Sequence, residues 1–375
     1  MGKTILVTGG AVHAHLDAVK IITNQFRGGR MAKLAADLNE QGHTIIYLTS
    51  KTGVHPIWKR TEPTMVIIHD GFDDYQKKVV ELAPQVDAVI LGAAVCNLIP
   101  LQHWEGKFPS HQYKPGDLIP LNFTIAPRVI DEVKKANPKA KLFGFKLLKG
   151  VPYEELIDAA YDVVLTSGAV AVFANDANNL DKKFAVTKEK SVIPMTSDEM
   201  VRFILQAIDD QYYTTTIVSE METYMQDILE RPTGELYRKL LDKYAPKFVT
   251  VNNIVFGTIA VRWGSTGSFI TTARGKKDLN AVSFVSRVNY GFADEGEPKY
   301  GVFAGPVKPT LNAPLLYHIF LTNPDVKAII HYHEDVTNNL PWAPPGTVRD
   351  SMRNINSSFG IDHHGRFLLL RENEL

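Results

Sequence analysis

The stretch "VTGGAVHAHLDAVKIITNQFRGGRMAKLAADL", Val7–Leu38, decides the fold of the first half of this chain. It opens on the end of an apolar strand, "KTILVT", runs through a long polar loop and closes on a helix. Met31, Leu34, Ala35 and Leu38 recur at helical spacing, and Gly42 stops the helix. Gly9 and Gly10 let backbone amides approach an anion. The helix start at Gly28 and Gly29 adds donors and a favourable dipole.

The alternation continues outward from there. "HTIIYLTS" and "TMVIIHD" read as strands, "DDYQKKVVELA" as a helix, and "DAVILGAAV" and "AKLFGFKLL" as strands. "PYEELIDAA" reads as a helix and "DVVLTS" as a strand. "SDEMVRFILQAID" reads as a helix with Ser197 at its N-cap. This pattern predicts an α/β unit with a doubly wound, mostly parallel, Rossmann-like sheet. A nicotinamide-dependent dehydrogenase is disfavoured. There is no G-x-G-x-x-G, the first loop is too long, and the second strand ends in "YLTSK" without an acid for a ribose.

Past Asp209 the pattern changes. "VSEMETYMQDILERP" reads as a helix that Pro232 stops. The division expected is 1–212 for the first domain, 213–233 for a helical linker and 234–375 for a second domain. The second domain is β-rich through "KFVTVNNIVFGTIAVRW", "GSFITTA" and "AVSFVSRVNY". It then has a helix, "NAPLLYHIFLTNP", and a strand, "KAIIHYH". Residues two apart on a strand share a face, so His331 and His333 leave the backbone together. Such a pair is half a metal site, because zinc takes at least three protein ligands. His318 before the pair, and His363 and His364 after it, offer the third.

Composition narrows the function. With 375 residues, 45% apolar and 22% charged, the chain has the make-up of an ordinary globular protein with room for two cores. Zero net charge and the lack of a basic stripe argue against nucleic acid as the main partner. Cys96 is the only cysteine, which suits a reducing cytoplasm and excludes an internal disulfide. No signal peptide and no membrane-length apolar run are expected, and so no membrane partner.

Several separated blocks of the first half resemble the phosphopantothenate–cysteine ligase family, over about residues 3–208. They are "VTGG", "VKIITN" with "GGRM", "LGAAVCNLIP", "EGKFPS", "LFGFKLL" and "FANDANNLDKKFAVTKE". The resemblance implies a ligase that condenses phosphopantothenate with cysteine using CTP or ATP with Mg2+, through an acyl-nucleotidylate. It places Asn24 on the acyl intermediate and Lys107 on the nucleotide. Gly9, Gly10, Gly28, Gly29, Ala94, Phe145 and Lys146 would border the cofactor. The chain departs from the family pattern at Phe26 and Arg27, where serines are usual. It also departs at Asn97 and Leu148, where carboxylates are usual, and at Ser167-Gly168, where the family has Asn-Asp.

The second half, from about Gly234, resembles the class II aldolase/adducin family. The carriers are "FGTIAVRWGSTGSFITTARGKKDL", "NPDVKAIIHYH", "LPWAPPGT" and "HHGRFLLL". This implies an α/β/α domain with a mainly antiparallel sheet. It also implies Zn2+ or another divalent metal on His331, His333 and His364, with His318 outside the site and His363 as a neighbour. The family's proton-moving glutamate falls on Asn312. Thr258 and the run "TTARG" replace the phosphate turn, where Arg274 could meet an anion. Three functions follow: a ligase with an auxiliary second domain; a metal-dependent aldolase, epimerase or dehydratase on a sugar phosphate; and a non-catalytic ligand-binding or scaffolding protein. Both resemblances imply a homo-oligomer.

Overall fold

The computed structural model describes residues 2–60, 64–336 and 339–375. They fall into two compact units, 1–208 and 209–375. Residues 213–233, expected as a helical linker, hold the strand Thr214–Ile217 and the helix Met221–Leu229. The strand pairs in parallel with Tyr300–Gly305 at the edge of the second unit's sheet, and Met225 and Ile228 join that unit's core. Pro232 does not stop a helix. It occupies the first turn of the helix Pro232–Tyr244, where its missing N–H costs nothing.

In the first unit, six parallel strands run in the spatial order Ala171–Asp176, Lys141–Leu148, Ala88–Leu91, Thr4–Thr8, Thr44–Ser50 and Thr64–His69. Two antiparallel strands, Asn179–Thr187 and Val192–Met195, extend one edge. The central strands read as unbroken apolar runs because both faces are covered: Ile5, Leu6, Val7, Val89 and Ile90 are fully buried. The helix Gly29–Glu40 buries Met31, Leu34, Ala35 and Leu38, as its spacing predicts.

Two local readings are corrected. "DVVLTS" is not a strand but the end of the helix Tyr153–Ser167. Tyr161, Val164 and Ser167 continue the buried face begun by Leu156, Ile157 and Ala160, and Gly168 caps it in the left-handed region at φ 68°. The following strand is Ala171–Asp176, so the Asn-Asp pair at a strand end is Asn175-Asp176 rather than Ser167-Gly168. Ser197 is the first helical residue, and Thr196 does the capping. Its hydroxyl accepts from Glu199 N at 3.3 Å, while the Glu199 carboxylate accepts from Thr196 N at 2.7 Å.

The second unit is a three-layer α/β/α domain. Its sheet runs Thr214–Ile217, Tyr300–Gly305, Val282–Tyr290, Phe269–Thr272, Thr258–Arg262, Ala328–Tyr332, Gly365–Leu370 and Phe359–Ile361, antiparallel except at the first pair. Strand alternation sorts its core. Ile329 and Phe367 pack with the helix Ala313–Thr322, whereas Ala328, Ile330 and Tyr332 pack with Met221–Leu229 and Pro232–Tyr244. Among the described residues no helix is long and apolar enough to cross a membrane.

Candidate functional sites

Sequence order reverses in the first sheet between Thr4–Thr8 and Ala88–Leu91, and a cavity of about 620 Å³ opens at the carboxyl ends of the strands there. Asn24, Gly28, Gly29, Ala94, Phe145 and Lys146, all expected at a ligand site, line it. Gly28 sits at φ 82° as the N-cap of Gly29–Glu40, so the first amides of that helix face the cavity without intrahelical partners. Gly9 and Gly10 do not line it but pack directly against Gly28. A Cβ on Gly28 would stand 2.1 Å from the Gly10 amide nitrogen. Asn24 donates from Nδ2 to the Ala94 carbonyl at 3.0 Å, which leaves Oδ1 for a ligand.

The cavity suits an anion. Besides Lys146 it is lined by Arg27, Arg30, Lys33 and Lys183, against one acid, Asp37, among the described residues. Asp37 is already held by Lys33 at 2.6 Å and Lys59 at 3.6 Å. Lys183 is buried, which lowers its pKa, and it donates to the Leu180 carbonyl at 2.9 Å. Asn175 also lines the cavity, with Nδ2 donating to the Lys182 carbonyl at 3.1 Å. The sequence reading missed Asn175 because it placed the strand one element too early.

Lys107 is exposed and does not line this cavity. The segment that carries it is nevertheless built. Asp17, fully buried, accepts from Phe108 N at 2.8 Å, from Val19 N at 2.7 Å and from Lys20 Nζ at 3.0 Å. Burial raises its pKa, but these hydrogen bonds outweigh burial and hold the carboxyl well below its usual range.

In the second unit, His331 and His333 leave the sheet on the face of the helix Ala313–Thr322, and His364 comes from the turn before the paired strand Gly365–Leu370. One ligand atom from each of the three lies within 4.8 Å of the others. Ring centroids are 5.2 Å apart for His331 and His333, 4.6 Å for His331 and His364, and 5.0 Å for His333 and His364. His331 Nδ1 stands 3.1 Å from the Arg366 carbonyl, which selects the Nδ1–H tautomer and turns Nε2 to the cluster. That buried Nε2 has no hydrogen-bond partner among the described residues, as a metal-binding nitrogen would. Burial lowers all three pKa values, to about 4 for His333, so the imidazoles stay neutral.

His318 is outside the cluster, edge-on to Tyr290 at 5.7 Å, and His363 is exposed at φ 56°. Asn312 is buried ahead of the helix Ala313–Thr322. Arg274 donates to the Pro309 carbonyl at 3.1 Å and to the Thr215 hydroxyl at 3.3 Å.

Lys276, absent from the sequence reading, is buried and donates to the Gly257 carbonyl at 2.6 Å; burial pushes its pKa down to about 8. The unfolded chain therefore holds the extra proton between pH 8 and the ordinary 10.5, and stability rises with pH across that window. Relative to Lys276→Met, the wild-type unfolding free energy gains about 3 kcal/mol there. Urea denaturation of both chains at the two ends of the window measures it. An unchanged difference would mean that Lys276 is not desolvated.

Fold and cavity together define a doubly wound α/β unit with an anion-suited cavity at its switch point. Residues 1–223 match the family model described as DNA/pantothenate metabolism flavoprotein C-terminal domain, and the chain belongs to that family. Over 174 residues it is 28% identical to the coenzyme A biosynthesis bifunctional protein CoaBC of Thermococcus kodakarensis, covering 46% of this chain and 41% of that one. The chain thus spans less than half the length of the curated relatives it matches. Among solved structures, the DNA/pantothenate metabolism flavoprotein from Streptococcus pneumoniae is 22% identical, with a TM-score of 0.48, over 55% of this chain and 98% of that one. The candidate aldolase/epimerase/decarboxylase YgbL from Escherichia coli is 16% identical, with a TM-score of 0.27, over 37% of this chain and 79% of that one.

Proposed function

We propose that the first unit is a nucleotide-dependent phosphopantothenate–cysteine ligase. The carrying observation is the switch-point cavity, where Asn24, the Gly28-Gly29 helix start and Lys146 converge. In this reading the substrate carboxylate attacks the α-phosphate of CTP or ATP and pyrophosphate leaves. The cysteine amine then displaces the nucleotide from the acyl-nucleotidylate. The helix amides and the surrounding cations take the phosphate charge, and Asn24 Oδ1 accepts from a donor group of the ligand. Mg2+ fits poorly. Its usual protein ligands are carboxylates, and Asp37, the one carboxylate among the described residues that line the cavity, is committed to two lysines. No step is therefore routed through it.

The test is incubation of the full chain with phosphopantothenate, cysteine and either nucleotide. Pyrophosphate and nucleoside monophosphate should appear in step with the amide. No pyrophosphate above the enzyme-free rate with both nucleotides would end the ligase reading. Asn24→Ala should cut the rate about a hundredfold, the usual loss for one oriented polar group at a reacting centre.

A second reading concerns the other unit, which we take to hold a divalent metal on His331, His333 and His364. Three neutral imidazoles with a position left open fit zinc. Such an ion, when bound, polarises a carbonyl or hydroxyl oxygen of a substrate such as a sugar phosphate. Asn312 is no Brønsted base, so aldol-type proton transfer would need another group. A scaffolding role without turnover is the remaining outcome. Release of a carbonyl product from a panel of sugar phosphates separates the two.

A further inference from the structure

We propose that His13, His15 and Asp70 form a second divalent-metal site, in the first unit, for a first-row transition cation of the zinc type. Residues 13 and 15 are two apart around the short strand Ala14–His15, so their imidazoles share a side, and Asp70 stands at the N-cap of the helix Gly71–Leu82. Ligand atoms of all three lie within 4.8 Å of one another. The distances are more telling. His13 Nε2 is 3.3 Å and His15 Nε2 is 3.4 Å from the same oxygen, Asp70 Oδ1. Both exceed the commonest N–H···O length of about 2.9 Å, although His13 still hydrogen-bonds Asp70. Two ligands on a tetrahedral ion with bonds of about 2.0–2.1 Å stand about 3.3–3.4 Å apart, which is the spacing of each imidazole nitrogen from the carboxylate oxygen.

The surroundings hold this geometry. The two rings meet edge-on at 4.7 Å without stacking, and both Nε2 atoms reach the same Asp70 oxygen. The Asp70 side chain makes no capping hydrogen bond to its helix. Gly71, at φ 81°, brings the backbone so close that a Cβ would stand 3.1 Å from His15 Cδ2 and 3.2 Å from its Nε2. The His13 side chain is 13% exposed, that of His15 38% and that of Asp70 65%, so the cluster is within reach of solvent. The strand Ala11–Val12, just before His13, pairs with Ala94–Val95 in the wall of the cavity. A cation here would therefore share a two-stranded ribbon with the ligand site.

Equilibrium dialysis of the full chain against zinc tests this. The wild type should hold about two zinc ions, and His364→Ala and His15→Asn about one each. The double variant should hold none. Asp70→Asn, a change at an exposed position that keeps the side-chain shape, should weaken the first-unit zinc by at least about tenfold, the lower bound even for an outer-shell partner. Circular dichroism checks that each variant is folded. The site is overturned if His364→Ala alone leaves the chain without zinc. It is also overturned if folded His15→Asn and Asp70→Asn bind as much zinc as the wild type, with unchanged affinity.

Discussion

In a His15→Asn background, replacing His364 by alanine should strip the chain of zinc, while replacing His363 should not. The two neighbours differ in what the fold does with them. His364 is buried where the strand Gly365–Leu370 begins, and its ring is 4.6 Å from His331. His363, one residue earlier, takes a left-handed turn conformation and points to solvent. Alanine at 364 leaves two imidazoles, fewer than a zinc site needs, so affinity should fall by more than about a hundredfold. Binding also shows in stability. At zinc a hundred times its dissociation constant, mass action contributes about 2.7 kcal/mol, or roughly 5–10 °C in melting temperature for a domain of this size. That shift should be present with His363→Ala and absent with His364→Ala. A folded His364→Ala chain that keeps both zinc and the shift would remove the metal reading of the second unit.

How much of this could be read from the sequence depends on the range of the signal. The central strands and the helix Gly29–Glu40 were legible because burial on one stripe or on both faces leaves a local period. The His-x-His pair was legible for the same reason, and the His331–Phe367 register beside it places His364 near the pair. What failed were segments whose period is ambiguous. "DVVLTS" carries β-branched residues that suit a strand, yet it completes a helical face set by Leu156 and Ile157. That error displaced the Asn-Asp pair and hid Asn175. Pro232 and Ser197 failed more narrowly, since a proline can open a helix as well as end one, and Thr196 competes with its neighbour for the cap. Asp17 and Lys276 gave no signal, because their burial depends on partners far along the chain. His13 and His15 could have been found, since they repeat the spacing that singled out His331 and His333. Their third partner, Asp70, is a long-range placement that spacing alone does not reveal.

Gly28→Ala should damage the first unit severely, and Gly29→Ala should not. Both glycines were assigned to the same anion-binding turn, and both line the cavity, but the backbone treats them differently. At Gly28 the residue sits at φ 82°, where a side chain costs about 1–2 kcal/mol. The new Cβ would also lie 2.1 Å from the Gly10 nitrogen and 2.7 Å from its Cα, both rigid backbone. Either the Gly9-Gly10 turn or the helix start must move, so the total cost should be about 3 kcal/mol or more. At Gly29 a Cβ meets nothing within 4 Å, and the residue already begins the helix. Alanine there should be neutral or stabilise by about 0.4–1 kcal/mol through a less flexible unfolded chain. It keeps the amide, so it should also keep an anionic ligand. Urea unfolding and nucleotide binding of the two variants, side by side, measure both effects. If Gly28→Ala unfolds like the wild type and still binds nucleotide, the close approach of Gly28 to Gly10 is not what holds the cavity's shape. If Gly29→Ala abolishes binding without loss of stability, the ligand approaches the helix more closely than the amides alone require, and the space at Gly29 is itself part of the binding site.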